Sequence, residues 1–310
     1  MPSLYLGEIF AFGAVLCWAG STQIFEAAGK QMGSIPVSFF RLLISFVLFS
    51  LLLLINNGEI IPVGFSTYAW KWLLLSGVVG LSFGDIFRFK SYVSIGPRLT
   101  MVIMSLSAPT TALIGWLILD ETYRPIQWLG MFVTVCGVCW VLIKQGTKSG
   151  EFSKNSQELW VRTVSTRQLA IAMVAMVGQS VGYVMSKMGM KDGAGYLDPF
   201  ASTQIRVIGG IIGFIVLFFV MGSWPRVIQS TRKTSALGLA VIGSFLGVFL
   251  GVSLSMKALH YTSTGIATTI LSLVPIVLIP FAILIQKEYV SIHGILGALT
   301  AVFGVVLLIG

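Results

Sequence analysis

Charge is what this sequence has least of. Asp, Glu, Lys and Arg make up 10% of its 310 residues, against 56% apolar. A soluble domain carries roughly a quarter charged residues, so water is excluded as the solvent for most of the surface and a lipid bilayer is expected. Histidine is almost missing: His260 and His293 lie in or beside connections, no pair has ligand spacing, and no metal is expected. The three cysteines, Cys17, Cys136 and Cys139, lie inside apolar runs, which excludes a disulfide framework between extramembrane segments. Cys136-x-x-Cys139 has metal or redox spacing, but a lone pair on such a helix reads as packed small hydrophobes. No Gly-Lys-Ser/Thr phosphate loop occurs, so ATP does not drive the protein directly, and no cofactor is called for. No Lys or Arg precedes the first apolar run, which is therefore expected to be a retained helix and not a signal peptide. The formal net charge of +9 is scattered singly between apolar runs. Without a basic stripe or stacking platform, nucleic acid is not an expected partner; anionic headgroups of membrane lipids are.

What is present is a repeat. Sliding the chain along itself by 167 positions brings Gly80 onto Gly247, Gly84 onto Gly251, Lys90 onto Lys257 and Glu121 onto Glu288. The same shift aligns Ser105-Leu106 with Ser272-Leu273, Leu129-Gly130 with Leu296-Gly297, and Gly137-Val138 with Gly304-Val305, without a gap. Both copies are apolar, so this is a duplicated membrane protein and not a soluble solenoid.

A spanning helix needs roughly 20 predominantly apolar residues. Ten stretches qualify: Gly7–Glu26, Pro36–Ile55, Tyr68–Phe87, Leu99–Leu119, Pro125–Ile143, Gln168–Lys187, Pro199–Met221, Ala236–Met256, Thr264–Ile285 and Ser291–Ile309. The expected fold is all-α: a first five-helix repeat over residues 1–143, a polar linker over 144–167, and a second repeat over 168–310. Five is odd, so the second copy enters the membrane inverted, as in secondary transporters whose substrate site lies near the midplane. Lys and Arg concentrate in the connections after odd-numbered spans, which assigns those connections to the cytoplasm and both termini to the outside. Gly80-x-x-x-Gly84 and its counterpart Gly243-x-x-x-Gly247-x-x-x-Gly251 have the spacing of close helix seams.

The ordered set Gly84-Asp85, Ile95-Gly96, Ser105-Leu106-Ser107-Ala108-Pro109, Leu117-Ile118-Leu119-Asp120-Glu121 and Leu129-Gly130 through Gly137-Val138 resembles the EamA domain of the drug/metabolite transporter superfamily. The second copy keeps Ser272-Leu273, Pro275, Glu288, Leu296-Gly297 and Gly304-Val305, and Trp18, Arg41 and Arg206 also match the pattern. The resemblance implies a ten-helix carrier in a bacterial-type plasma (inner) membrane. Spans 1–4 and 6–9 would surround a cavity, with 5 and 10 packed outside. It also implies a small solute such as a metabolite, amino acid or drug, with export the commoner direction. Two departures stand out. Asn56-Asn57-Gly58-Glu59 replaces a connection that is often basic, and many relatives have cytoplasmic termini.

Ionisable groups within spans usually mark function. Asp85 and Glu26 are therefore proton-coupling candidates. Asp85 and Arg88, three apart, can also pair on one helix face, with a headgroup-level salt bridge as the structural reading. Arg41 and Arg206 sit a turn or two inside spans 2 and 7. On opposite sides of the membrane, one near each mouth, they would grip a carboxylate or phosphate and favour an anionic or zwitterionic solute; alternatively both snorkel to headgroups. Trp18, Gln23, Gln179, Ser180 and Tyr183 are cavity candidates, or helix–helix hydrogen-bonding groups. Glu121 and Glu288 are expected to complement helix N-termini, and with Gly84, Gly130, Gly251 and Gly297 they form the structural hallmarks of the repeat. Gly178-Gln179-Ser180-Val181-Gly182 fits a nucleophile elbow, but that needs a strand–turn–helix and this one lies inside an apolar helix, so a hydrolase is not expected. The expected function is secondary transport of a small organic solute by alternating access. The competing expectation is a membrane sensor or scaffold that kept the fold and filled its cavity with apolar side chains.

Overall fold

A computed structural model describes residues 5–95, 100, 103–144, 165–192, 195–277 and 292–309. In chain order its helices are α1 (Leu6–Met32), α2 (Ser34–Asn57), α3 (Thr67–Ser76), α4 (Gly84–Ile95), α5 (Ser107–Leu119), α6 (Pro125–Lys144) and α7 (Thr166–Met190), followed by α8 (Pro199–Met221), α9 (Trp224–Ser230), α10 (Thr234–Ser244), α11 (Ser253–Tyr261), α12 (Thr264–Leu271) and α13 (Ile292–Ile309). Among the described residues the only strand pairing is a two-residue ladder, Lys191–Asp192 against Gly195–Tyr196. Among the described residues six stretches are long and apolar enough to cross a membrane: Leu6–Met32, Ile35–Asn56, Thr67–Arg88, Thr166–Met190, Pro199–Met221 and Thr234–Tyr261. Four shorter apolar helices, Ile103–Leu119, Pro125–Trp140, Thr264–Val277 and Gly294–Ile309, stand at the remaining expected positions. Large apolar side chains such as Leu117 and Phe219 are 71% and 72% exposed. Such a surface suits lipid and would drive aggregation in water.

Local chemistry sets the helix ends. The Asp198 side chain accepts from the Ala201 amide at 2.8 Å, and Pro199 follows at the first helical position. α2 and α8 stop at Gly58 and Gly222, both with positive φ, where glycine has no Cβ to clash. Two helices outrun the apolar runs that announced them: α1 continues to Met32 and α4 to Ile95. Hydropathy ends where side chains turn polar, but the helical hydrogen-bond ladder does not need apolar side chains. Asp85 and Arg88 lie within the helix and pair with each other there.

α3 and α4 are one rod joined by a π-helical segment, Gly77–Phe83; α10 and α11 are joined in the same way by Phe245–Val252. The interruption occupies matching places in the two halves. A π turn adds a residue to the turn, widens the helix and is frequent at functional sites. Here it also lets backbones meet. A Cβ added to Gly77 would lie 1.9 Å from the Arg206 carbonyl oxygen, and one on Gly209 would lie 2.2 Å from that of Leu74.

The halves pack as an inverted pair. The third rod lies on α7 through Gly80 against Gly182 and Gly84 against Gly178, while the α10–α11 rod lies on α1 through Gly247 against Ser21 and Gly251 against Trp18. The third rod of each half thus packs on the first of the other. Outside this group, α6 and α13 meet with Gly130 against Gly304 and Gly137 against Gly297. As one number rises the other falls, so the two helices are antiparallel.

Candidate functional site

A cavity of about 880 Å³ opens between the halves, within the range of small-molecule sites. Its walls include Trp18, Thr22 and Phe25 of α1, Ser38 and Arg41 of α2, and Asp85 and Arg88 of α4, with Gln179 and Tyr183 of α7, Arg206 of α8 and Thr268 of α12 opposite. Lys30, in the last turn of α1, also lines it. Among the described lining residues there are four cations, Lys30, Arg41, Arg88 and Arg206, and one carboxylate, Asp85.

That carboxylate is claimed twice. Asp85 Oδ2 accepts from Arg41 and Oδ1 from Arg88, and its side chain is 3% exposed. Two guanidinium groups on one carboxylate leave a net charge of +1. Arg206 is differently placed. It is buried, its Nε donates to Ser76 Oγ at 3.0 Å and its Nη1 lies 2.9 Å from Met256 Sδ. Its hydrogen-bonding neighbours are thus a hydroxyl and a thioether, a weak acceptor.

Aromatic and amide groups complete the wall. Trp18 Nε1 donates to the Gly247 carbonyl at 2.9 Å, satisfying an acceptor inside the second π segment. Gln179 Nε2 donates to Tyr183 Oη at 3.3 Å.

The cavity reaches one end of the bundle, at Gly29, Lys30 and Ser38. Contacts among the described residues tie the other end together. Glu8 and Lys30 are 22 residues apart on α1, about 33 Å at 1.5 Å per residue, and Glu8 Oε1 accepts from Thr262 Oγ1 at 3.2 Å at the far end. Beside it, Glu121 Oε1 pairs with Lys187 Nζ at 2.8 Å. Glu121 also accepts from the Thr264 amide at 3.0 Å, from Thr264 Oγ1 at 2.6 Å and from Tyr123 Oη. Lys187 donates again to the Thr262 carbonyl at 2.6 Å, and the Gly265 amide donates to Tyr123 Oη at 3.1 Å. Burial disfavours the Glu121 carboxylate, but the Lys187 charge and the hydrogen bonds from Lys187, Thr264 and Tyr123 outweigh it and hold its pKa below the ordinary value. Burial and the Glu121 charge push the Tyr123 hydroxyl up. One carboxylate therefore joins the α5–α6 connection of the first half to α7 and to the N-terminus of α12 in the second.

The EamA-like transporter family matches this sequence twice, over residues 5–143 and 167–310. The chain belongs to that family. A curated relative from Haemophilus influenzae, described as an uncharacterized transporter, is 23% identical over 277 residues, covering 89% of this chain and 83% of its own. A protein of known crystal structure superposes with a TM-score of 0.67 over 97% of this chain and 96% of its own at 13% identity, a likeness of fold alone. The chain is an integral multi-pass membrane protein, and membership of the EamA-like family points to a membrane transporter and not to an enzyme.

In this EamA-family protein the cavity gathers Trp18, Arg41, Asp85, Gln179, Tyr183 and Arg206. Gln23 lies on α1 outside the cavity wall, and Ser180 turns away to hydrogen-bond the Met176 and Ser107 carbonyls. The side chain of Glu26 and the whole of Glu288 lie outside the described residues. Arg41 and Arg206 do not guard opposite mouths. Leu42 meets Gly210 across antiparallel α2 and α8, which sets the arginines only about five residues apart along the bundle, roughly 7.5 Å. Glu121 serves the N-terminus of α12, not the helix that follows it in sequence. Nothing local in the sequence marks Ser76, Met256 and Lys187 as partners, because their roles depend on residues 50 to 130 positions away. Met256 falls on an ordinary apolar run and carries no local signal at all.

Proposed function

We propose that this protein is a ten-helix secondary carrier, built of two inverted five-helix repeats, that moves a small organic solute across a bacterial-type plasma membrane by alternating access. The observation that carries this reading is the cavity itself. A scaffold has no reason to keep about 880 Å³ of space walled by charged and amide groups when apolar side chains would pack it more stably. The arrangement supports one access state: the cavity reaches the Lys30 end, while Glu121, Lys187 and Thr264 hold the other end shut. Inverted repeats give each end a counterpart at the opposite end, so a second state with the ends exchanged is built into the duplication. Export remains the direction the family resemblance favours.

Paired spin labels test this without knowledge of the solute. With Cys17, Cys136 and Cys139 replaced, one label pair at Thr122→Cys and Lys191→Cys reports the closed end, and another at Gln31→Cys and Ser235→Cys reports the cavity end. A carrier in proteoliposomes gives two distance populations at each end, one widening as the other narrows. A single fixed distance at both ends would leave the scaffold reading standing.

A further inference from the structure

The two arginines that the duplication supplies are not equivalent. Arg41 already holds a carboxylate, and that carboxylate also holds Arg88. A solute acid arriving at Arg41 must displace Asp85. Arg206 has five N–H donors; Nε–H goes to Ser76, one Nη1–H points at the Met256 sulfur, and Nη2 donates to no described residue. Its residue exposure is 3%, and it lines the cavity. A buried guanidinium that meets no carboxylate costs several kcal/mol, and Arg206 lines the space a solute would enter.

We propose, resting on the carrier reading above, that the solute is an organic anion whose carboxylate or phosphate docks on Arg206, with its apolar body against Trp18 and Tyr183. Three features fix the class. The fork of Arg206 matches a planar or tetrahedral acid with two parallel hydrogen bonds. The Arg41–Asp85–Arg88 group keeps a net positive charge and adds a favourable field without taking the acid itself. Among the described lining residues an organic cation meets no open carboxylate, since Asp85 is held on both oxygens. The same phosphate chemistry is offered by a lipid headgroup, and the test separates the two sources.

The purified full chain in neutral detergent is scanned for thermal stabilisation by phenylacetate, phenyl phosphate, phenethylamine and phenethyl alcohol at millimolar concentration, and by phosphatidylglycerol. Stabilisation by at least one acid, with none by the amine or alcohol, is the expected result. Arg206→Gln should abolish it. Arg206→Lys, which keeps the charge and loses the fork, should weaken apparent affinity about tenfold, the loss of roughly 1.4 kcal/mol; it serves as the readout if the Gln variant does not fold. Stabilisation by the amine or alcohol equal to that by the acids, the same acid response in Arg206→Lys as in wild type, or no response to either acid would each overturn the proposal. Stabilisation by phosphatidylglycerol alone would make the site a lipid headgroup site and overturn it as well. None of these outcomes touches the spin-label result, so failure of the anion inference is distinguishable from failure of the carrier reading.

Discussion

Thr134 Oγ1 lies 3.4 Å from the carbonyl oxygen of Ala301, its own counterpart 167 positions along the chain. A residue that touches its repeat image must lie beside the axis relating the two copies. Around that point Gly130 faces Gly304 and Gly137 faces Gly297, each pair exchanging the roles of the other, as an isologous contact requires. The duplication seen as a sequence offset is thus a two-fold relationship in space, and α6 with α13 is where it passes through the molecule.

That contact should not tolerate added volume. A Cβ on Gly137 would lie 2.4 Å from the Ala301 amide nitrogen, and one on Gly304 would lie 2.4 Å from that of Thr134. Gly137→Ala and Gly304→Ala should each destabilise by about 1–3 kcal/mol, read as a lowered Tm in detergent. An unchanged Tm in both variants would show that the helices are not held at this distance.

The Glu121–Lys187 pair makes a pH-dependent contribution of definite sign. Because the pKa of Glu121 is lowered on folding, its stabilising effect is complete above the ordinary glutamate value, roughly 4.3. The effect is lost as pH falls through the lowered folded-state value. Glu121→Gln, which leaves Lys187 without its counter-charge, should cost about 3–5 kcal/mol near neutrality. The gap in Tm between variant and wild type should close as pH drops below 4.3. A gap that stays constant down to pH 3 would mean that the carboxylate charge does not contribute.

Asp85 is the counter-charge for two cations, so removing it alone should be worse than removing it with one of them. Asp85→Asn should destabilise by roughly 3–5 kcal/mol, leaving Arg41 and Arg88 facing each other. Adding Arg41→Gln should recover part of that loss. Strict additivity in this double-mutant cycle would show that the pair is not coupled.

Trp18→Phe removes one hydrogen bond to the Gly247 carbonyl and keeps most of the ring. A cost of about 1 kcal/mol is expected, larger than for Trp140→Phe on the lipid-exposed outer surface. Equal costs would argue that the π segment does not depend on Trp18.

The sequence alone determined the solvent and the duplication. Scarcity of charge, runs of membrane-spanning length and a gapless offset of 167 positions are properties of composition and spacing, and local physics suffices to read them. It also marked Trp18, Arg41, Asp85, Gln179, Tyr183 and Arg206, because polar groups in apolar runs are costly and need a reason. Only the tertiary structure decided what those groups do. Arg41 and Arg206 look equivalent at matched positions, yet one pairs with the Asp85 carboxylate and the other meets a hydroxyl and a thioether, since their partners come from rods that sequence distance does not bring together. Glu121 could be read as a helix-capping carboxylate, but which helix it caps depends on how the two halves meet. The π segments left no trace in the apolar pattern, because widening a turn changes the backbone ladder and not the hydropathy of the residues in it.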